Sequence, residues 1–551
     1  MPKKPIHLAA LAALVLIGVA LAPEPAVSQP QPIAATSSES LCPPLPAPSG
    51  PTVTVSTVAE LQQAVLNAAA GDTILVADGA YHLNGVYLRF DTPNVTLRSA
   101  SGNREAVILD GNYVTTEIVQ VVASGITIAE LTLREAYYHP IHVMSSDSGD
   151  TTNTLIYDVH IIDPGEQAIK INPGAEGYYP DDGIIACSHI ELTDAGRPYI
   201  RNNCYTGGID AHQARGWTVR DNIIEGFWCA SGLSEHGIHF WRACRDTVVE
   251  RNVLRENARG IGFGLATTGD ARIYPDNPCP GADGGYVDHY DGIIRNNFVF
   301  ASQSELFASE YGFDCGICLW QACGAQAVHN TVASTQAPFS SIEWRFDHTD
   351  VEITNNLVTH NLLDRGGVAT LAGNLEYAPL SLFVDGTGGD LHLTAGASAA
   401  IDQGESLSEG LGDDDIDGDA RPIGAAPDVG ADEYGIPSPA AVTDLRVSRA
   451  YTDATTLTVT LGWTAPSEAV TATLRFSGSP ISEANWSLAA PLTDTLPGSA
   501  GAYTATVAYG GGTVYFAHKS HNAGGWSALS NNAFWPHQDI YLPLVLKESV
   551  P

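Results

Sequence analysis

The 551-residue chain is predicted to be all-β: a right-handed parallel β-helix over residues 52–435, followed by a small antiparallel β-sandwich over 437–536. Three observations carry this reading. A strand-like run ending in asparagine recurs at Asn222, Asn252, Asn297, Asn330 and Asn356, a spacing of about 25 to 45 residues that fits one turn of a solenoid. A second run built on isoleucine falls between these, as in Ile209-Asp210-Ala211-His212 and Ile238-His239-Phe240-Trp241. Beyond residue 437 the pattern becomes one of short alternating strands, as in Leu457-Thr-Val-Thr-Leu-Gly-Trp463.

Composition supports the same class. The 54 glycines and 33 prolines favour many turns over long helices, and 44% hydrophobic residues suffice for a large core. A formal net charge of −36 argues against nucleic acid and anionic membrane surfaces as partners. It leaves room for an acidic polymer held by a local basic cleft or a bound cation.

In chain order, Lys3 and Lys4 before the apolar run 8–22 read as a secretory signal, residues 1–28, with cleavage after Ala26-Val27-Ser28. The expected location is therefore secreted or cell-surface, with no membrane insertion after cleavage. A Pro-rich linker, 29–51, follows. Export suits the nine cysteines, read as partly paired disulfides, with at least one left free or paired between chains because nine is odd. Cys315-Gly-Ile-Cys318 is a lone CxxC in a strand, where the two thiols are expected to point apart, and no redox role is assigned to it.

Residues 59–69 read as an amphipathic helix closing the first turn of the solenoid. The asparagines form an inward ladder in which each amide bonds its neighbours at a corner, a structural device. Earlier, weaker members of the series are Glu130, Asp158 and Cys187. The Gly- and Pro-rich insertion 268–292 is expected to act as a lid or as a surface loop pinned by Cys279. The acidic run Asp413 to Asp419 could bind calcium or serve as a terminal turn. The tail 537–551 is too short to span a membrane.

In a strand, alternate side chains face opposite ways. Placing the isoleucines inside gives two outward columns. One holds His142, Lys170, Asp210, His239, Gly262, Cys318 and Glu343. The other holds Met144, Asn172, His212, Trp241, Gly264, Trp320 and Arg345. A merely solvated face would not gather these residues, and the paired glycines are expected to leave a flat patch among them. Apart from Lys3, Lys4, Lys519 and Lys547, Lys170 is the only lysine in the chain. Trp241 and Trp320 are placed to stack on sugar faces, with Asn172, Glu343 and Arg345 as further substrate-binding candidates.

The passages Gly71-Asp72-Thr73-Ile74 to Tyr81, Leu391 to Gly404 and Pro427 to Glu433 resemble secreted β-helix proteins of the pectate lyase-like superfamily, nearest the alginate lyase and chondroitinase B group. Asp210-Ala211-His212 with the later His236-Gly-Ile is similar to a mannuronan epimerase motif in which Ala211 replaces Pro and Gln213 replaces a second Asp. Trp463-Thr-Ala-Pro466 and the segment Tyr515 to Trp526 resemble a fibronectin type III module.

The expected function is a polysaccharide lyase cleaving a uronic-acid polymer by β-elimination. Arg242, Arg345 or a calcium ion held by Asp210 or Glu343 would neutralise the sugar carboxylate, Lys170 or His212 would take the proton, the lysine needing a lowered pKa, and His239 would protonate the leaving oxygen. A uronan epimerase on the same scaffold is the alternative; a glycoside hydrolase, which needs two opposed carboxyl groups, ranks third because Asp210 and Glu343 are several turns apart, and a non-catalytic glycan-binding or adhesin-type protein is the rival of a different class.

Overall fold

The computed structural model describes residues 41–535, apart from 270–271, 277–278, 280–284, 436–438, 453–454, 468 and 523. The expected signal 1–28, most of the expected linker and the tail 537–551 lie outside the described residues. Among the described residues no helix is long and apolar enough to cross a membrane.

The solenoid is built from three long parallel sheets, two of ten strands and one of fourteen. This is the right-handed parallel β-helix that the sequence predicts. Its first strand is Thr52–Val55, and its last parallel strand is Val368–Ala372. Residues after Ala372 close the C-terminal end with the antiparallel pair Phe383–Asp385 and Asp390–Leu393, whose Phe383, Leu391 and Leu393 cluster with Phe298, Phe300 and Leu357.

At the other end lies the helix Val58–Asn67, displaced by one or two residues from the predicted 59–69. It starts at Thr57, whose side chain accepts the Glu60 amide while the Glu60 carboxylate accepts the Thr57 amide, a capping box. Leu61 and Val65 on its inner face are buried against the first turns.

Register explains the core. Ile141, Ile169, Ile209, Ile238, Ile261, Ile317 and Ile342 pair strand to strand down one sheet. All are fully buried, and each contributes roughly 1.5–3 kcal/mol by leaving water.

The asparagine ladder is present. Nδ2 of Asn222, Asn252, Asn297 and Asn330 each donates to Oδ1 of the next asparagine at 2.9–3.0 Å. Asn356 extends the chain of bonds to Asn374, at 3.0 Å. Each ladder residue follows a corner residue in the left-handed region, with Asp221 at φ 58° and Arg251 at φ 53°. Glu130, Asp158 and Cys187 occupy this preceding corner position, at φ 57°, 49° and 59°. The early turns are thus offset by one residue from the predicted ladder, and their ladder places hold Leu131, Val159 and Ser188.

Four disulfides form, Cys42–Cys187, Cys204–Cys229, Cys279–Cys323 and Cys315–Cys318, leaving Cys244 as a buried free thiol. The Cys315–Cys318 bond corrects the expectation that these side chains diverge. Cys315 opens its strand, at the corner with the preceding loop, where two-residue alternation does not yet hold. The Cys42 bridge fixes a strap, residues 41–50, along the outside of the early turns. Its carbonyls at Pro43 and Pro46 accept from Tyr157 Oη (2.5 Å) and Arg98 (2.7 Å).

The C-terminal unit pairs a three-stranded antiparallel sheet, including Thr456–Gly462, with a five-stranded one, including Thr471–Ser477 and Val514–Asn522. Leu457, Val459, Leu461, Trp463, Leu474 and Phe516 form its core.

Candidate active site

The outward column follows directly from the isoleucine register. His142 pairs with Lys170, Lys170 with Asp210, Asp210 with His239, His239 with Gly262, Gly262 with Cys318 and Cys318 with Glu343. In the second column His212 pairs with Trp241 and Trp320 with Arg345.

The centre of the site is Asp210, only 1% exposed. Its Oδ2 receives the Lys170 ammonium and lies 3.3 Å from His212 Nε2, while its Oδ1 accepts from Trp241 Nε1 at 2.7 Å. Lys170 Nζ also reaches Tyr205 Oη at 3.3 Å and His212 Nε2 at 3.1 Å. The three ammonium protons therefore have three acceptors.

Electrostatics fixes the charge states. Burial opposes charge on Asp210, yet Lys170, His212 and His239 together hold its carboxyl well below the usual range. Burial also opposes charge on Lys170, but Asp210 and Tyr205 more than offset it and raise the lysine. Lys170 is thus an ammonium, which corrects the expectation of a lysine lowered to act as base. Burial lowers His212 despite Asp210, leaving a neutral imidazole. Tyr205 is raised by burial and by Asp210, so its phenol keeps its proton.

Tyr205 was not among the sequence candidates. It stands on the loop between the 3-10 turn Arg197–Tyr199 and the strand Gly207–His212, a stretch with no periodic signature. The Cys204–Cys229 bridge ties that loop to the segment 226–236. A tyrosine next to a disulfide cysteine and just before a column strand was the one available signal.

The remaining candidates divide. The Trp241 indole is half-buried, stacked on the His239 ring at 5.3 Å and edge-on to His212 at 4.7 Å. Beyond it the Arg242 guanidinium lies 4.8 Å over the indole, without an ion-pair partner among the described residues. His239 is fully buried beneath Trp241, so the expected contact with a leaving oxygen is not available to it. Asn172 Oδ1 accepts from His142 Nε2 at 2.7 Å, at the edge of the site.

Glu343 and Trp320, 0% and 3% exposed, are enclosed several turns away. Trp320 Nε1 donates to Glu343 at 2.6 Å, and Arg365 bonds the same carboxylate at 2.6 Å, so the expected sugar-stacking face of Trp320 is covered. Arg345, half-buried, sits with Arg259 and Arg365 around a neighbouring cavity of about 400 Å³. The paired glycines leave no flat patch. The His236 ring fills the place above Gly262, where a Cβ would meet it at 2.6 Å.

A cleft of about 860 Å³ opens where the second column ends, lined by residues 173–177, Tyr179, Gln213, Gly269 and Ile273. Gln213 directly follows His212. Gly269 and Ile273 of the insertion 268–292 thus line this cleft, and described residues of the insertion are also pinned. Cys279 is bridged to Cys323, and Arg272 pairs with Asp181 at 2.7 Å and lies over Tyr179 at 3.9 Å.

Of the acidic run, Asp415 accepts the amides of Asp417, Asp419 and Glu433 and so organises a terminal turn. With Asp417, Asp419 and Asp432 it lines a cavity of about 320 Å³ whose oxygen donors are of the type calcium takes.

No family model and no curated protein matches the chain. Solved structures similar to it include an alginate lyase from Paenibacillus sp. (19% identity, TM-score 0.40, 59% of this chain and 98% of that one). Another is the A-module of the mannuronan C-5 epimerase AlgE6 of Azotobacter vinelandii (12%, TM-score 0.35, 58% and 95%). A third is the tailspike protein of Escherichia coli bacteriophage HK620 in complex with a pentasaccharide (11%, TM-score 0.34, 88% and 85%).

Proposed function

We propose that the protein is a secreted enzyme that removes the proton beside the carboxylate of a uronic-acid polymer and completes a β-elimination. The observation that carries this reading is one buried ammonium, Lys170, that meets the Asp210 carboxylate, the Tyr205 phenol and the neutral His212 imidazole, on strands whose next residues, Pro173 and Gln213, line an open cleft. Proton removal next to a carboxylate requires that negative charge be spread onto that group and stabilised there. Arg242 and the Lys170 ammonium supply positive charge in a chain that is otherwise strongly acidic. As the sugar carboxylate draws the ammonium towards itself, Nε2 of His212 is released to take the proton. The oxygen of Tyr205 accepts from Lys170, which leaves the phenol proton free for the departing glycosidic oxygen.

The same groups serve a second reading, epimerisation, in which Tyr205 returns a proton to the opposite face of the sugar carbon without cleavage. Tyr205 Oη and His212 Nε2, at 3.3 and 3.1 Å from Lys170 Nζ, give this reading the two proton-carrying groups it needs. The C-terminal sandwich acts in either case as a fibronectin type III-like spacer or accessory binding module. The oxygen-rich C-terminal cavity is the calcium site of this proposal.

The test is the ultraviolet absorbance of an unsaturated uronate, followed on alginate, pectate, chondroitin, heparin-like and glucuronan polymers with and without calcium. Tyr205→Phe is expected to lower kcat by about 10²- to 10⁴-fold, the range for a lost acid–base group, with little change in KM. Deuterium incorporation from solvent without new absorbance identifies the epimerase. Binding of polymer with neither signal identifies a glycan-binding protein and refutes catalysis.

The pH dependence has a definite sign. His212 is held below its ordinary 6.5, chiefly by burial, so the rate is expected to persist as pH falls through 6.5 and to fail only further down, when the imidazole protonates. A pH–rate profile with its acid midpoint at or above 6.5 excludes His212 as the base. The same shift favours proton uptake by the unfolded chain, so this contribution to stability is lost as pH falls below 6.5.

A further inference from the structure

The segment 226–236 ends against the outer side of the strand Ile238–Trp241, next to the strand that carries Asp210. A carboxylate oxygen of Glu235, a ring nitrogen of His236 and a ring nitrogen of His239 come within 4.8 Å of one another there. Both histidines are fully buried.

These atoms lack partners. Neither nitrogen of His236, nor Nδ1 of His239, nor Oε2 of Glu235 has a hydrogen bond among the described residues. Glu235 Oε2 does lie 3.1 Å from His239 Nδ1, but the two are not aligned for a bond. Buried polar atoms left unsatisfied are destabilising. Four in one place call for something that satisfies them together.

The surroundings hold the rings in place. His239 Nε2 is engaged by the Gly264 carbonyl at 3.2 Å, which turns Nδ1 towards Glu235 in the manner of an outer-shell contact to a ligating imidazole. The His236 ring occupies the space that Gly262 leaves open, and Trp241 covers His239.

We propose that Glu235, His236 and His239 bind a transition-metal dication of the zinc class. Two imidazoles and one carboxylate suit such an ion, whereas calcium and magnesium favour all-oxygen sets. The sulfurs of Cys315 and Cys318 also lie within 4.8 Å of a His236 nitrogen, but they are joined to each other and are not thiolate ligands. Such an ion fastens the loop carrying Glu235 and His236 to the sheet. It also places positive charge close to Asp210, whose Oδ1 is 3.7 Å from His239 Nδ1. This ligand set does not depend on which reaction the neighbouring cleft performs.

The experiment titrates cobalt(II), then zinc against a competing chelator, into chelator-treated protein with its disulfides intact. One equivalent is expected to bind and to give visible cobalt absorption of a four- or five-coordinate ion. Glu235→Gln, at a partly exposed position, is expected to weaken binding at least tenfold, and His236→Ala to do the same if circular dichroism shows it folded. His189→Ala serves as the control, because the stacked pair His160 and His189 with Glu191 is the other imidazole-rich group and is already hydrogen-bonded. Absence of the cobalt spectrum, unchanged affinity in Glu235→Gln, loss of binding in His189→Ala, or binding only after reduction of Cys315–Cys318 would each overturn the assignment.

Discussion

Lys170→Met is expected to reduce activity by about 10³-fold and to destabilise the protein by about 3–5 kcal/mol, the range for removing one partner of a buried ion pair. The size of the second effect follows from Asp210, which at 1% exposure would keep its charge with no ammonium to balance it. The companion variant Lys170→Met/Asp210→Asn separates the two roles. An amide at position 210 can still accept from Trp241 Nε1 without carrying charge, so most of the lost stability should return. Activity should not, because the ammonium that stabilises charge on the sugar is still missing. Urea unfolding and the ultraviolet assay on the same preparations decide the matter. If activity returns together with stability, Lys170 only holds Asp210 in place, and its catalytic role fails.

Asn297→Ala, an interior rung of the ladder, is expected to be far more destabilising than a change at the ladder's end. It removes the acceptor of the Asn252 amide at 2.9 Å and of Asn252 Nδ2 at 3.0 Å, together with donors to the Val249 carbonyl at 2.9 Å and to Asn330 Oδ1 at 2.9 Å. All of these groups are buried, and water cannot take the place of the amide without opening the corner. A loss of about 3–5 kcal/mol is expected from the bonds and the orphaned groups together. Asn374→Ala, at the last and half-buried rung, should cost about 1 kcal/mol, since solvent can satisfy what it leaves. Equal shifts in the urea midpoints of the two variants would show that the ladder is ornamental.

The outward column from His142 to Glu343 was legible residue by residue. Isoleucine at the same place in seven successive strands leaves one register that buries them all, and strand alternation then determines what lies beside them. The asparagine ladder was legible for a similar reason, since it repeats once per turn at a fixed distance from a buried residue. The roof over the face was not legible. Tyr205, Glu235 and His236 arrive on aperiodic loops joined by the Cys204–Cys229 bridge, and they turn an outward face into a largely buried one. That is why His239 and Trp320, expected at the surface, are enclosed, while Lys170 stays charged because Asp210 on the neighbouring strand and Tyr205 offset its burial.

The strap of residues 41–50 bears on how the solenoid comes apart. A stack of repeats in which each turn touches only its neighbours behaves like a one-dimensional chain and frays from its ends, one unit at a time. The strap adds couplings that skip units, binding Arg98, Tyr157 and Cys187 on different turns to a single short segment. No early turn can then peel away while its neighbours stay closed. The turns so tied are expected to unfold together and not one by one.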